Sequence, residues 1–316
     1  MTPGATRPGR PQGRRRGRSG FPGAAGAHTL PGAMPAHPGP TVPAGSRLLP
    51  RLRDRALRSR ALARVFRHPV DALPAGVLLS VFAIQLALFL LADGLAPVAL
   101  GMLALFPLQV NFAGTCHNHH HVYTFRHRLA NRAFEVVMFL QLGMLPYGYT
   151  LQHNLGHHAR YLEPARDPNR WRRRDGTAMG PWEFAGRLVL RMYPDAVAIG
   201  REHPVVYRKF LGMLGVCALV LGGLLVLDPA RALLLFVLPM PVALLFQAQA
   251  TWYQHAGLES ADPLTASRSA VGRLYNLRTL NLGYHTAHHL KPGLHWSRLP
   301  AFHAEIAPRI PEELIV

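Results

Sequence analysis

The sequence predicts an all-α integral membrane protein with four transmembrane helices arranged as two hairpins. Hydrophobic residues make up 49% of the 316 residues, and many of them stand together in long uncharged blocks. About 20 apolar residues in a helix cross the hydrocarbon core of a bilayer, and four of the blocks come close to or reach that length. A composition of this kind is typical of membrane proteins.

The four predicted spans form two pairs because short polar breaks interrupt the apolar blocks. Asp93 and Gly94 separate the first two spans, and Asp228 and Pro229 separate the last two. We expect each pair to be a tight helical hairpin. The spans cover residues 73–92, 95–114, 210–227 and 232–253.

A fifth apolar segment, residues 133–151, has a different character. It contains Glu135, Gln141 and the helix-disturbing Pro146. We therefore expect a re-entrant element or an interfacial helix here, and no fifth span.

The first 45 residues differ in composition from the rest of the chain. They are rich in Arg, Pro and Gly and poor in large apolar residues. Such a composition predicts a disordered basic tail over residues 1–45, followed by a membrane domain over residues 46–316.

The distribution of positive charge predicts the orientation in the membrane. Arginines are frequent in residues 1–72 and 160–208, whereas the two hairpin tips contain only Arg231. Since short loops rich in Lys and Arg stay in the cytoplasm, the hairpin tips should point outward. The net charge of +19 suits anionic lipid head groups, so we expect no nucleic-acid partner.

Nine histidines form three clusters and one singleton, and they predict a metal centre. His117 and His121 are four residues apart, and the same step recurs between His153 and His157, so each pair should lie on one face of a helix. Imidazole is a ligand for transition metals, and two ions with four or five ligands each would use about nine histidines. The candidates are His117, His121, His153, His157, His158, His255, His285, His288 and His289.

All nine candidates lie beyond the predicted cytoplasmic ends of the spans. The tail after the last span therefore contributes to a cytoplasmic helical cap that carries the metal site. No Glu or Asp precedes a histidine by three residues, so the carboxylate-rich motifs of zinc proteases and ferritin-like di-iron bundles are absent. A site made almost only of imidazole beside lipid favours an oxygen-activating pair of iron ions over a hydrolytic zinc.

The histidine clusters resemble the histidine boxes of integral-membrane fatty acid desaturases. The boxes read HNHHH at 117–121, HNLGHH at 153–158 and NLGYHTAHH at 281–289, and the segment KPGLHW at 291–296 resembles the tail of that family. The resemblance covers about residues 70–305. It implies a non-haem di-iron enzyme that uses O2 and two electrons to attack C–H bonds of an alkyl chain.

The singleton His255 extends the resemblance. Its segment, WYQHAGLE at 252–259, is similar to a segment of membrane alkane hydroxylases, which belong to the same superfamily and use a ninth histidine ligand. The similarity implies that His255 is that ligand. A histidine that only forms a hydrogen bond near the site is the alternative.

Four further residues are candidates for contacts with the ligands. His119 and His120 compete with the favoured pair of the first box, but the spacing and the family pattern assign them to its surroundings. Asp167 matches a position at which relatives often have a carboxylate that orients a ligand, and a helix cap or an arginine partner is the alternative. Asn281 begins the third box.

The resemblance implies desaturation of a fatty acyl or related lipid chain. Hydroxylation and alkene-forming decarboxylation start from the same hydrogen abstraction and stay open. The chain has no dinucleotide fingerprint and no iron–sulfur ligand set, so electrons should come from a separate ferredoxin or rubredoxin with its reductase. A membrane metal transporter and a membrane zinc hydrolase are the remaining alternatives.

Overall fold

The structure is a computed structural model that describes residues 59–316, so the predicted tail at residues 1–45 lies outside the described residues. Within this range the chain forms helices joined by loops, and only isolated β-bridges occur. The helices are α1 (Arg60–Val65), α2 (Ala72–Leu91), α3 (Leu95–His121), α4 (Arg128–Leu142), the π-helix α5 (Thr150–His158), α6 (Pro181–Glu202), α7 (Pro204–Leu227), α8 (Pro229–His255), α9 (Arg273–Thr279), α10 (His285–Leu290) and α11 (Leu299–Ile306).

Four helices are long and apolar enough to cross a membrane, which confirms the four predicted spans and their pairing. They are Pro69–Leu91, Leu95–His121, Pro204–Leu227 and Pro229–His255. Large apolar side chains such as Leu103 and Leu219 are exposed on their outer faces, as lipid-facing residues are. Helix α3 continues seven residues beyond the predicted end at residue 114, and this extension carries the first histidine box.

The tips of the two hairpins are joined by Arg231 at the start of α8. Its Nη1 donates to the carbonyl of Phe89 and its Nη2 to the carbonyl of Ala92, each at 2.7 Å. These carbonyls belong to the last turn and the C-cap of α2, where backbone acceptors have no partner within the helix. The one arginine at the tips thus fixes α8 to α2.

The first half of the segment predicted as a re-entrant or interfacial element, residues 133–142, belongs to α4, which is not among the four candidate spans. The helix ends at Gly143, which takes a left-handed conformation with φ of 68°. Phe134 and Met138 pack into the same core cluster as Phe112 of α3 and Ala243 of α8. Helix α4 therefore fills the space between the two hairpins.

The sequence did not predict α6, because this helix lies in the arginine-rich residues 160–208 and contains no continuous apolar block. Its buried residues Phe184, Met192 and Ala196 recur at helical spacing, while charged residues such as Arg191 face outward. The hydroxyl of Tyr193 donates to the carbonyl of Gly143. Helix α6 packs along α8 and supports α5 from the outside.

The segment that follows α8 folds over the histidine-bearing end of the bundle. Ala287 and Leu299 belong to a core formed by α10, α11 and the terminal turns. Asp71, at the start of the first span, accepts hydrogen bonds from Nε2 of His295 at 3.0 Å and from Nε1 of Trp296 at 2.7 Å. A carboxylate bonded to one buried and one half-buried donor fixes this segment to the bundle.

Candidate metal centre

The structure brings all nine candidate histidines together at one end of the bundle, in two groups. Within each group the donor atoms lie within 4.8 Å of one another. The first group consists of His117, His121, His153, His158 and His288. The second group consists of His157, His255, His285 and His289.

Three of the nine histidines lie at the ends of two long helices. His117 and His121 lie one turn apart at the end of α3, and both belong to the first group. His255 is the last residue of α8 and belongs to the second group. Because α3 and α8 end on the same side of the bundle, the hairpin topology itself brings the two groups together.

The second histidine box lies on a π-helix, and this changes the spacing on which the sequence prediction relied. In a π-helix the backbone bonds run from residue i to residue i+5. His153 and His158, five residues apart, accordingly share the first group, whereas His157 belongs to the second. The pair at the expected spacing of four residues, His153 and His157, is thus divided between the groups.

The third box is also divided. His285 and His289 lie one turn apart on α10 and share the second group, and His288 between them joins the first. Nε2 of His288 lies 3.0 Å from Nε2 of His158. Helix α10 therefore connects the two groups, as α5 does.

The distances between donor nitrogens suit metal binding. In the second group the Nε2 atoms of His255, His285 and His289 are 2.9–3.2 Å apart. In the first group Nε2 of His153 lies 2.9 Å from that of His117 and 3.1 Å from that of His158. Two nitrogen ligands at right angles, each about 2.1 Å from one ion, are separated by about 3.0 Å.

Two ligand candidates show which ring nitrogen carries the proton. Nδ1 of His157 lies 2.9 Å from Oδ1 of Asp167, and Nδ1 of His255 lies 3.1 Å from the carbonyl of Ala266. Each Nδ1 must donate to these acceptors, which leaves the lone pair on Nε2 directed into the second group. Burial opposes ionisation of Asp167, but His157 and the backbone N–H of Asn169 outweigh it and lower the pKa of the carboxyl.

Five of the ligand candidates outside the spans have a lowered pKa, which favours the neutral imidazole. Burial, reinforced by the neighbouring histidines, lowers their pKa well below the ordinary value near 6.5. Neutral imidazole is the form that binds a metal ion. The residues are His153, His158, His285, His288 and His289.

Three of the four predicted neighbours have no contact with a ligand nitrogen. His119 contacts the hydroxyl of Thr124 through Nδ1 at 2.9 Å, and Nδ1 of His120 donates to the carbonyl of Cys116 at 2.7 Å. The side-chain amide of Asn281 donates to the carbonyl of Trp296. Asp167 is the one predicted neighbour that bonds to a ligand candidate.

Two tyrosines that are not among the predicted site residues complete the surroundings. The ring of Tyr149 stacks on that of His153 with centroids 4.6 Å apart, and the ring of Tyr161 lies 4.2 Å from that of His289. Tyr149 precedes the second box by four residues, so helical periodicity would have pointed to it. Tyr161 follows the box by three residues and covers the second group from outside.

A cavity of about 430 Å³ reaches the centre from the side, between α3 and α8. Four histidines line it, two from each group: His117, His153, His157 and His285. Phe246 and Tyr253 of α8 line it farther out and are 43% and 57% exposed. A long apolar molecule in this cavity would meet both groups.

The arrangement agrees with a comparison with known protein families. The family model described as fatty acid desaturase matches residues 88–316, which contain all nine clustered histidines and three of the four spans. Searches of the curated proteins and of the solved structures gave no match. Because the family model covers more than half of its length, the chain belongs to the fatty acid desaturase family.

Proposed function

We propose that this protein is a membrane-bound non-haem di-iron oxidoreductase that desaturates a fatty acyl or related lipid chain. One observation carries the proposal: two groups of five and four buried or half-buried histidines face one side cavity at the end of a bundle of apolar helices. The nine histidines are the ligands in this proposal, with one iron ion in each group. Iron bound there would supply the activation of O2 and the removal of hydrogen from the alkyl chain.

The protein's own residues position the ligands. Asp167 and the carbonyl of Ala266 fix the rings of His157 and His255 from behind, so their Nε2 atoms stay directed at the second group. In the first group the ring of Tyr149 supports His153, and its hydroxyl lies 3.5 Å from Nε2 of Gln247 on the cavity wall. Ligands held in this way keep their geometry through repeated turnover.

The reaction needs a supply of electrons from outside the chain. Desaturation removes two hydrogen atoms from adjacent carbons, and these, with two further electrons and two protons, reduce O2 to two molecules of water. We infer that a ferredoxin or rubredoxin with its reductase delivers the electrons. The arginine-rich segment between α5 and α6, residues 160–174, suits an acidic electron-transfer protein. Within it, Arg172 and Arg173 are already paired with Glu259 and Glu183.

We also infer that the centre lies on the cytoplasmic side. Among the described residues, Arg64 and Arg67 precede the start of α2 and Arg126 follows the histidine-bearing end of α3, while Arg231 is the one arginine at the opposite tips. A reporter that fluoresces only in the cytoplasm, fused after Val316, should be active. An inactive fusion beside an active cytoplasmic control would refute this orientation.

Metal analysis tests the centre. Purified protein should contain two iron ions per chain, and His288→Ala should bind less iron because His288 belongs to the first group. His127→Ala, which changes an exposed histidine outside both groups, is the matched control and should keep the wild-type content. One zinc ion and no iron would refute the proposal in favour of a hydrolase.

Mass spectrometry of lipids tests the reaction. Cells that express the wild type should accumulate a product two hydrogens lighter than its precursor, and cells with His288→Ala should not. A product one oxygen heavier would identify a hydroxylase, and a terminal alkene with loss of carbon dioxide would identify a decarboxylase. Either of these would replace desaturation while leaving the iron centre intact.

A further inference from the structure

Arg268 introduces a charged group into the wall of the cavity that reaches the metal centre. Residues of α3, α5, α8, α9 and α10 and of the loops beside them line the cavity, and Arg268 is the one Lys, Arg, Asp or Glu among these lining residues. Amide side chains such as Gln247 and Gln254 line the same space. One arginine among amide and apolar side chains is a suitable site for one negative charge.

The backbone holds Arg268 close to the second histidine group. Its N–H donates to the carbonyl of Gln254 at 2.8 Å, one residue before His255. Two residues before Arg268, the carbonyl of Ala266 accepts the hydrogen bond from Nδ1 of His255. The segment that orients a proposed ligand thus also positions the guanidinium.

The guanidinium has no acidic partner among the described residues. Its Nη1 donates to the carbonyl of Ala256 at 2.6 Å, and no ion pair within 4.0 Å involves Arg268 in residues 59–316. Val316 lines the same cavity, but its backbone oxygen accepts from the N–H of Val271. Guanidinium has five N–H donors in a planar fork that matches a carboxylate, so donors remain for a ligand.

We propose that Arg268 binds the carboxylate of a free fatty acid, which is the substrate of the centre. One guanidinium balances the single charge of a carboxylate, whereas a coenzyme A thioester or a phospholipid carries phosphates and would need more cationic groups than this cavity offers. The inference rests on the proposed function, because it names the substrate class of the same site.

The position of Arg268 has a consequence for the site of oxidation. A carboxylate bound there lies in the same cavity as His157 and His285 of the second group. The carbons presented to the centre are then those close to the acid group, and the rest of the chain extends past Phe246 toward the lipid. Oxidation near the carboxyl end follows, in preference to mid-chain oxidation.

Equilibrium binding to the purified, iron-loaded protein without electron donor tests the inference. The ligands are radiolabelled dodecanoate and radiolabelled 1-dodecanol, which differ in the charge of the head group. Arg268→Gln should weaken dodecanoate binding about tenfold to a hundredfold and leave dodecanol binding unchanged, since hydrogen bonds to charged groups contribute on this scale. Arg268→Lys should recover part of the affinity, and Arg273→Gln, which removes an exposed arginine outside the cavity, should bind like the wild type.

Three outcomes would overturn the inference. Unchanged dodecanoate binding by Arg268→Gln would show that the guanidinium does not bind the head group, and an equal loss for both ligands would show a structural role only. Competition of a coenzyme A thioester or a phospholipid at lower concentration than dodecanoate would assign the cavity to that lipid. Each of these leaves iron content unaffected, whereas failure of the proposed function would appear as absent iron or absent product in the wild type.

Discussion

The carboxylate of Asp167 holds the imidazole of His157 from the side opposite the metal-facing nitrogen. Oδ1 and Oδ2 of Asp167 lie 2.9 Å and 3.1 Å from Nδ1 of His157, and Oδ1 also accepts from the N–H of Asn169 at 2.8 Å. Nε2 of His157 is buried and has no hydrogen-bond partner. The carboxylate therefore prepares one ligand candidate of the second group for a cation.

Replacing this carboxylate should weaken metal binding without removing a ligand. In Asp167→Asn the side-chain amide nitrogen can turn toward Nδ1 of His157. That nitrogen cannot accept a hydrogen bond, so the proton is no longer fixed on Nδ1. We expect the iron affinity of the second group to fall about tenfold to a hundredfold, as loss of such outer partners does. Titration of metal-free protein with ferrous iron measures this. Asp175→Asn, at an exposed aspartate bonded to Thr177, is the control, and equal affinities for the two variants would contradict the role of Asp167.

The first histidine box offers a direct comparison of two adjacent histidines. His121 belongs to the first group, whereas Nδ1 of its neighbour His120 donates to the carbonyl of Cys116. His121→Gln should lower the iron content toward one ion per chain, and His120→Gln should keep both ions. Metal analysis of the two purified variants shows which of the two histidines is the ligand. The reverse result would make His120 the ligand and invalidate the assignment by helical spacing.

Gly283 is required by a close approach of the backbone just before the third box. An added Cβ would lie 2.1 Å from the carbonyl oxygen of Ala270 and 2.6 Å from Oδ1 of Asn276. Since Asn276 also bonds to the carbonyl of Ala270, neither group can withdraw freely. Gly283→Ala should displace His285 and destabilise the protein by about 1–3 kcal/mol.

The midpoint of thermal unfolding in detergent, together with iron content, tests the prediction for Gly283. Gly293→Ala is the matched control, because an added Cβ there meets nothing within 4 Å. We expect Gly293→Ala to behave like the wild type in both measurements. Equal unfolding midpoints for the two variants would show that the loop before the third box relaxes without cost.

The features that sequence could predict are those with a local pattern. The four spans follow from uninterrupted apolar blocks, and their pairing follows from the breaks at Asp93 and Asp228. The meeting of the nine histidines follows from the same argument, because His117 and His255 end helices that run in one direction across the bilayer. Local periodicity and membrane topology were sufficient for both.

The division of the nine histidines into groups could not be predicted. It depends on the π-helical register of α5, which pairs His153 with His158, and on packing that places His288 opposite them. The acceptor for His255 is a backbone carbonyl eleven residues away, and a carbonyl has no sequence signature. Arg268 lies in a loop, and in a loop the sequence spacing of residues does not predict the direction in which a side chain points.

Arg231 allows stability to be separated from metal binding, because it lies at the hairpin tips and bonds across them. Arg231→Gln should lose the paired donation to the carbonyls of Phe89 and Ala92, and also the 3.1 Å ion pair with Asp228. We expect a loss of about 1–3 kcal/mol, since two carbonyls at a helix end then have no charged donor. The midpoint of thermal unfolding in detergent should fall while the iron content stays at the wild-type value, because the histidine groups lie at the opposite ends of α3 and α8.

Arg231→Lys, which keeps the charge but not the planar fork, should have an unfolding midpoint between those of the wild type and Arg231→Gln. Loss of iron from Arg231→Gln at a temperature at which it is still folded would show that the tips and the metal centre are coupled along the helices.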